Sequence, residues 1–343
     1  MGRFLLRRAI GGILVILIVT LAVFALFGPG LRAASDISPA RLYAGKNPSP
    51  EDIAQVERLL GLDRPFYVQY GYALRRLVLG PSADEKARLC PGATAAECEE
   101  LVGRFGRSFE KRRSVDSLIR EAFPVTLSLT LMAALIWMAV SIPIGVLAAT
   151  RPRSILDRAT TIFVLLAQSF PVYYIGLLAL FFLAFTIPIF PLGGYEPFSL
   201  SNPWPWFSHI ILPASILALQ FAALYARLMR SQMLDVLGED YMRTARAKGA
   251  PRRRAVWRHG VRNAILPIVT IFGLDLGLLL GGAVLTEVTF GLQGLGDLAV
   301  SAAFRFDVPT TAGVVLFSAI LIVVANIAVD VVHALLDPRI RLE

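Results

Sequence analysis

The stretch LGEDYMRTARAKGAPRRRAVWRHGVRNAILP, residues 237–267, lies between an apolar run at 210–228 and another at 264–285. Acidic Glu239 and Asp240 open it and Lys248 follows, an order that complements a helix dipole and predicts a short helix over 239–248. Gly249 stops that helix, and Pro251 opens a second helical segment that continues into the next apolar run. Small Ala245 and Ala247 would let a partner approach closely, so a helix–Gly–helix unit here suits docking. An ordinary basic loop held against anionic lipid is the competing reading, and the residues alone leave both open.

Outward from this segment the chain is dominated by apolar runs. Residues are 56% hydrophobic and only 17% charged, against about a quarter charged in a soluble domain. Six runs, 9–27, 125–149, 159–185, 210–228, 264–285 and 312–335, approach the length needed to cross a membrane. The fold class expected is an all-α membrane protein with six transmembrane helices. Pro143 and Pro171 are expected to kink their helices.

A net charge of +9 could point to nucleic acid, but its distribution points to topology. Short connecting segments set orientation. Arg3, Arg7 and Arg8 precede the first run, and Arg151, Arg153 and Arg158 separate the second from the third. Ten Lys/Arg lie between Arg227 and Arg262, and Arg339 and Arg341 end the sequence. The alternate loops, 186–209 and 286–311, carry only Arg305. Both termini and the 237–267 segment are therefore expected in the cytoplasm, and the long first loop outside. The first run is too long for a signal-peptide core and reads as a retained helix.

The expected organisation is a first transmembrane helix within 1–28, an extracytoplasmic helical region over 29–120, a five-helix core over 121–335 with a cytoplasmic loop at 230–263, and a cytoplasmic tail over 336–343. In the first loop, Ser49 and Pro50 start one amphipathic helix that Gly61 ends, and FYVQYGYALRRLVLG forms a second that ends at Gly80. Cys90 and Cys98 lie in the same loop, where oxidising conditions permit a disulfide; two free thiols are the alternative. Trp204, Trp206 and Phe207 suit an aromatic anchor at the outer membrane surface.

Ionisable and polar groups inside apolar runs are costly and mark function or helix pairing. Asp275 is the candidate for a polar path through the membrane or a seam with a second membrane subunit; a hydrogen bond to a neighbouring helix is the alternative. Gln168 and Gln220 are weaker candidates for the same surfaces, and more often join helices, as Asn326 does. Gly281, Gly282 and Ala283 allow close packing or a hinge.

The 237–267 segment resembles the cytoplasmic EAA loop of ABC-importer permeases, in the version typical of the dipeptide/oligopeptide/nickel family. The matching residues are Asp240, Tyr241, Arg243, Thr244, Ala245, Lys248 and Gly249, followed by WRHGVRNAILP. The Glu-Ala-Ala and Gly positions of the general pattern hold Arg243, Thr244, Ala245 and Gly249, a departure shared with the peptide-permease version. LLGLDRPFYVQY, FGRSF, GGAVLTEVTFGLQGLGDL and LLDPRIR extend the resemblance over nearly the whole chain. Leu292-Gln293 stands where the family commonly has an aromatic-Pro pair, and 82–103 looks like an insertion.

The resemblance implies a type I ABC importer permease architecture in a bacterial or archaeal plasma membrane. It implies a second homologous permease, two cytoplasmic ABC ATPases that bind ATP and Mg, and an extracytoplasmic substrate-binding protein. Residues 240–249 would then form the coupling helix. No GxxxxGK[ST] loop occurs, so ATP hydrolysis is expected in the partners and no cofactor in this chain. Di- or oligopeptides are the expected substrates; nickel, opines and oligosaccharides are the family alternatives. His209, His259 and His333 make no HExxH or comparable cluster, which argues against a membrane hydrolase. A stand-alone channel or ion-coupled carrier is the remaining alternative.

Overall fold

The structure, a computed structural model, describes residues 2–26, 41, 48–60, 64–90, 92, 94, 97–98 and 101–336. The expected helix stop at Gly61 and the basic tail with Arg339 and Arg341 lie outside them. Helices α1 (Gly2–Ala25), α2 (Pro50–Leu60), α3 (Phe66–Leu79) and α4 (Ala83–Leu89) precede α5 (Val115–Thr150). Then come α6 (Ile155–Ser169), α7 (Val172–Thr186), α8 (Trp204–Gly238), α9 (Asp240–Ala247), α10 (Arg252–Ala264) and α11 (Leu266–Leu280). The chain continues through α12 (Val284–Thr289), α13 (Leu295–Phe304) and α14 (Val308–Leu336).

Helices α5, α8 and α14 are each long and apolar enough to cross a membrane, and two further crossings arise if each bent pair, α6–α7 and α10–α11, counts as one. Helix α1 contributes the shorter apolar stretch Ile10–Ala25. The bends have local causes. Phe170, held extended before Pro171 at φ −113° and ψ 138°, ends α6, and α7 leaves at 94°. Pro267 lacks the N–H that would continue the α10 ladder, and the helix turns by 49° there. By contrast α5 passes unbroken through Pro143. The run 264–285 is not one helix: α11 ends at Leu280, and Gly282 adopts φ +124° to turn the chain into α12.

Packing divides the chain into two compact units. One comprises 125–293 with the described residues from Val324 onward. Its centre is Trp137, fully buried, stacked on Phe221 at 4.7 Å and edge-on to Phe272 at 5.5 Å. Tyr225, Met229 and Met233 continue that core along one face of α8. Close backbone approach depends on glycine at two crossings. A Cβ on Gly145 would stand 2.6 Å from Met229 Cβ, and one on Gly273 1.9 Å from a Val329 methyl.

The other unit comprises the described residues of 2–124 with 294–323. Val115, Leu118, Ile119 and Ala122 of α5 pack against Leu295, Leu298 and Val314. Buried Asp307 gathers the FGRSF segment by accepting from Ser108 Oγ (2.5 Å), Phe109 N (3.0 Å) and Thr310 Oγ1 (2.7 Å). Helix α3 packs on α1 through Phe66 and Tyr70 around Phe24, with Tyr70 hydroxyl 3.0 Å from Thr20 Oγ1. Ser49 caps α2, accepting from Asp52 N, and Gly80 follows α3 at φ +82°. Helix α4 starts with a reciprocal Ser82–Glu85 capping box. Cys90 and Cys98 are joined by a disulfide, with Cα atoms 5.6 Å apart.

Candidate functional site

Helix α9 carries Asp240, Tyr241, Arg243, Thr244 and Ala245, with Lys248 and Gly249 directly after it. Glu239 precedes it in extended conformation, so the chain leaves α8 at Gly238 and re-enters a helix after a single corner. At the far end Lys248 N donates to Thr244 O, Gly249 N to Arg246 O at 2.9 Å, and Ala250 N to Ala245 O. Gly249 has φ +84°, the left-handed stop that a residue without Cβ adopts at least cost. Pro251 is extended and α10 follows, so the helix–Gly–helix form expected over 239–267 is the observed one.

The two faces of α9 differ. Met242 is completely buried and seats the helix on the protein, where α9 packs against the 255–260 turn of α10. That turn buries Ala255 and Val256, and Gly260 lies close enough to Met233 that a Cβ would stand 3.2 Å from its methyl. Tyr241, Arg243, Thr244, Ala247 and Lys248 are exposed, with Ala245 at the boundary. The Arg243–Asp240 pair, 3.6 Å apart and almost fully exposed, adds little stability. A single apolar anchor beneath an open polar face leaves α9 able to receive a partner without losing its own seat.

The intramembrane candidates are not gathered around α9. Asp275 on α11 is half-buried and accepts 2.7 Å from the hydroxyl of buried Tyr225 on α8. Gln220 on α8 donates from Nε2 to Phe170 O at 3.1 Å, satisfying a carbonyl left by the α6–α7 break. Gln168 is exposed on α6. Trp204 is exposed, whereas Trp206 packs edge-on against Phe198 with ring centres 5.2 Å apart. Among the described residues no group of three or more His, Cys, Asp or Glu is placed to hold a metal ion.

Several polar contacts were not anticipated. Asp157, 7% exposed at the start of α6, receives a two-pronged ion pair from Arg230 of α8: Nε to Oδ1 at 2.5 Å and Nη2 to Oδ2 at 2.9 Å. Arg252 Nη2 donates to Thr150 O, the last residue of α5, at 2.9 Å. Buried Glu287 of α12 accepts from Thr126 Oγ1 at 2.7 Å. The S-x-x-D pattern of Ser154 and Asp157 could have flagged a helix start, and Ser154 Oγ does accept from Asp157 N. Nothing in the sequence named Arg230 as the partner.

Two family models match the chain. Residues 141–342 fit the binding-protein-dependent transport system inner membrane component, and residues 1–130 fit the N-terminal region of such membrane components. A putative peptide transport system permease protein of Brucella abortus (strain 2308) is 37% identical over 99% of both chains. The oligopeptide transport system permease protein AppB of Bacillus subtilis (strain 168) is 35% identical, covering 99% of this chain and 100% of that one. A solved chain of the methionine ABC transporter MetNI, in inward-facing conformations, superposes with TM-score 0.52 at 18% identity. It covers 64% of this chain and 97% of that one, and shows a shared fold.

Proposed function

Because the chain belongs to the binding-protein-dependent transport inner membrane components and is an ABC importer permease of the peptide/nickel family, we propose that it lines half of a pathway for di- or oligopeptides and receives an ATPase on α9. A second, homologous permease lines the other half. Two ABC ATPases bind and hydrolyse ATP with Mg on the cytoplasmic side, and a substrate-binding protein delivers the peptide from outside. The basic segments, both termini and α9 face the cytoplasm.

The observation that carries this reading is the two-sided character of α9: Met242 buried beneath it, its polar face open, and Gly249 at φ +84° fixing where the next helix starts. A helix seated this way moves as a rigid piece when its outer face is pushed. This chain's part in the cycle is therefore mechanical. It supplies a socket, a rigid connection from α9 into α8 and α10, and a membrane passage whose opening follows that connection. Peptide preference follows from relatives that are named peptide and oligopeptide permeases.

Two measurements test the reading. Ala245→Trp should prevent the ATPase from co-purifying while membrane insertion persists; retention of the ATPase together with full uptake refutes the docking role. Cells lacking this chain should lose uptake of labelled peptide and keep uptake of nickel, and the reverse result would move the substrate assignment to the metal.

A further inference from the structure

The connection from α9 into the membrane helices contains a specific polar device. Helix α8 ends at Gly238, and Arg230 lies on it roughly two turns earlier. Its guanidinium grips both oxygens of Asp157, a geometry that resists rotation as well as separation. Asp157 Oδ2 also accepts from Arg153 N at 2.9 Å, and Arg153 itself adopts φ +64°, so the turn leaving α5 closes on the same carboxylate. Arg252 of α10 caps the final carbonyl of α5, where a cation is favoured by the helix dipole. The ends of α5, α6, α8 and α10 nearest α9 are thus joined by side chains that lie far apart in sequence.

The Asp157 tie fixes the end of helix α6 nearest α9. The surface of α6 turned away from α8 carries exposed apolar side chains, including Ile155, Ile162, Leu165 and Leu166. Helix α6 packs closely on α8, with Val164 and Ala167 against Ala223, Phe163 and Leu219 beside them, and Gln220 on Phe170 O at the far end. The ion pair adds a directional, charged contact to that packing, at the end where motion of α9 enters.

We propose that the Asp157–Arg230 pair is the latch that makes α6 follow α8 when α9 is displaced, so that both are positioning residues for transport. This rests on α9 being the ATPase socket. With the latch intact, a push on α9 shifts α5, α6 and α8 together and changes the passage. Without it, α6 is held to α8 by apolar packing and the Gln220 contact, its end nearest α9 falls out of step with α8, and ATP is hydrolysed without matching uptake.

The test uses the assembled importer in vesicles, with co-purified ATPase, ATP hydrolysis and labelled-peptide uptake measured on the same samples. Asp157→Asn and Arg230→Gln should keep the ATPase and hydrolyse ATP within about twofold of wild type, while peptide moved per ATP falls about tenfold. The double variant should be no worse than either single one, because each removes the same contact. Arg230→Lys, which keeps the charge and loses the fork, should assemble normally and fall in between. Unchanged peptide per ATP in Arg230→Lys and the neutral variants overturns the proposal. So do multiplicative losses in the double variant, or loss of uptake that tracks loss of assembled complex. ATPase retained by Ala245→Trp with full uptake would sink the socket reading separately, since the latch variants leave α9 untouched.

Discussion

Replacing Gly249 discriminates between a shaped connector and an ordinary basic loop. The residue sits at φ +84°, and a Cβ added to it would have nothing within 4 Å, so a side chain there meets no neighbour and the cost is backbone alone. Alanine should cost about 1–2 kcal/mol, the ordinary penalty of the left-handed region. That corresponds to a factor of roughly 5–30 in the population of the observed turn. Asparagine, which tolerates this region, should cost less, and valine more. Proline is different in kind. Its ring holds φ near about −65°, roughly 150° from the native angle, and it removes the Gly249 N–H that donates to Arg246 O at 2.9 Å. Losing that bond adds about 0.5–1.5 kcal/mol, and the direction in which α10 leaves α9 is lost. The assay is a series of Asn, Ala, Val and Pro variants scored for ATPase co-purification and peptide uptake at equal membrane abundance. Activity should fall in that order, with proline inactive. Full activity of Gly249→Pro, or valine matching asparagine, would refute a role for the left-handed stop.

Three further outcomes are expected. Gly273→Ala should lower the thermal stability of the detergent-solubilised protein by about 1–3 kcal/mol through overpacking, and Val329→Ala should restore much of it, because the added methyl would lie 1.9 Å from Val329. Asp307→Ala leaves Ser108 Oγ, Phe109 N and Thr310 Oγ1 without their acceptor; at about 1–3 kcal/mol per orphaned buried group, limited proteolysis should cut the 103–114 segment much faster, and Asp307→Asn should be milder. Cys90 and Cys98 should resist a membrane-impermeant maleimide in intact cells until reductant is added; immediate labelling of both would exclude a bond, whose loop-closure contribution is about 2.5 kcal/mol.

The first level of this protein, its division into apolar runs and polar connectors, was decided residue by residue. Transfer of a side chain into the bilayer depends mainly on its own chemistry, so six runs and a charge pattern could be read without knowing any contact. The helix α9, its stop at Gly249 and the restart at Pro251 were legible for the same reason. Dipole-complementing charges, a left-handed Gly and an N-terminal Pro act within a few residues of themselves. The family resemblance rested on this local string together with other short strings along the chain, such as FGRSF and GGAVLTEVTFGLQGLGDL.

What the tertiary structure alone decided were the pairings: Asp157 with Arg230, Tyr225 with Asp275, Thr126 with Glu287, and Ser108 with Asp307. It also set the 94° turn between α6 and α7, where Pro171 announces a break but not its angle, and the end of α11 at Leu280 inside a run that looked continuous. An apolar run states that a segment enters the membrane and is silent on its rotation about its own axis. Which polar side chain meets which depends on that rotation, and rotation is set by shape: Gly145 beneath Met229, Gly273 beneath Val329, Trp137 among Phe221 and Phe272. Those contacts join residues far apart in the chain, and their energies exist only once the helices have packed.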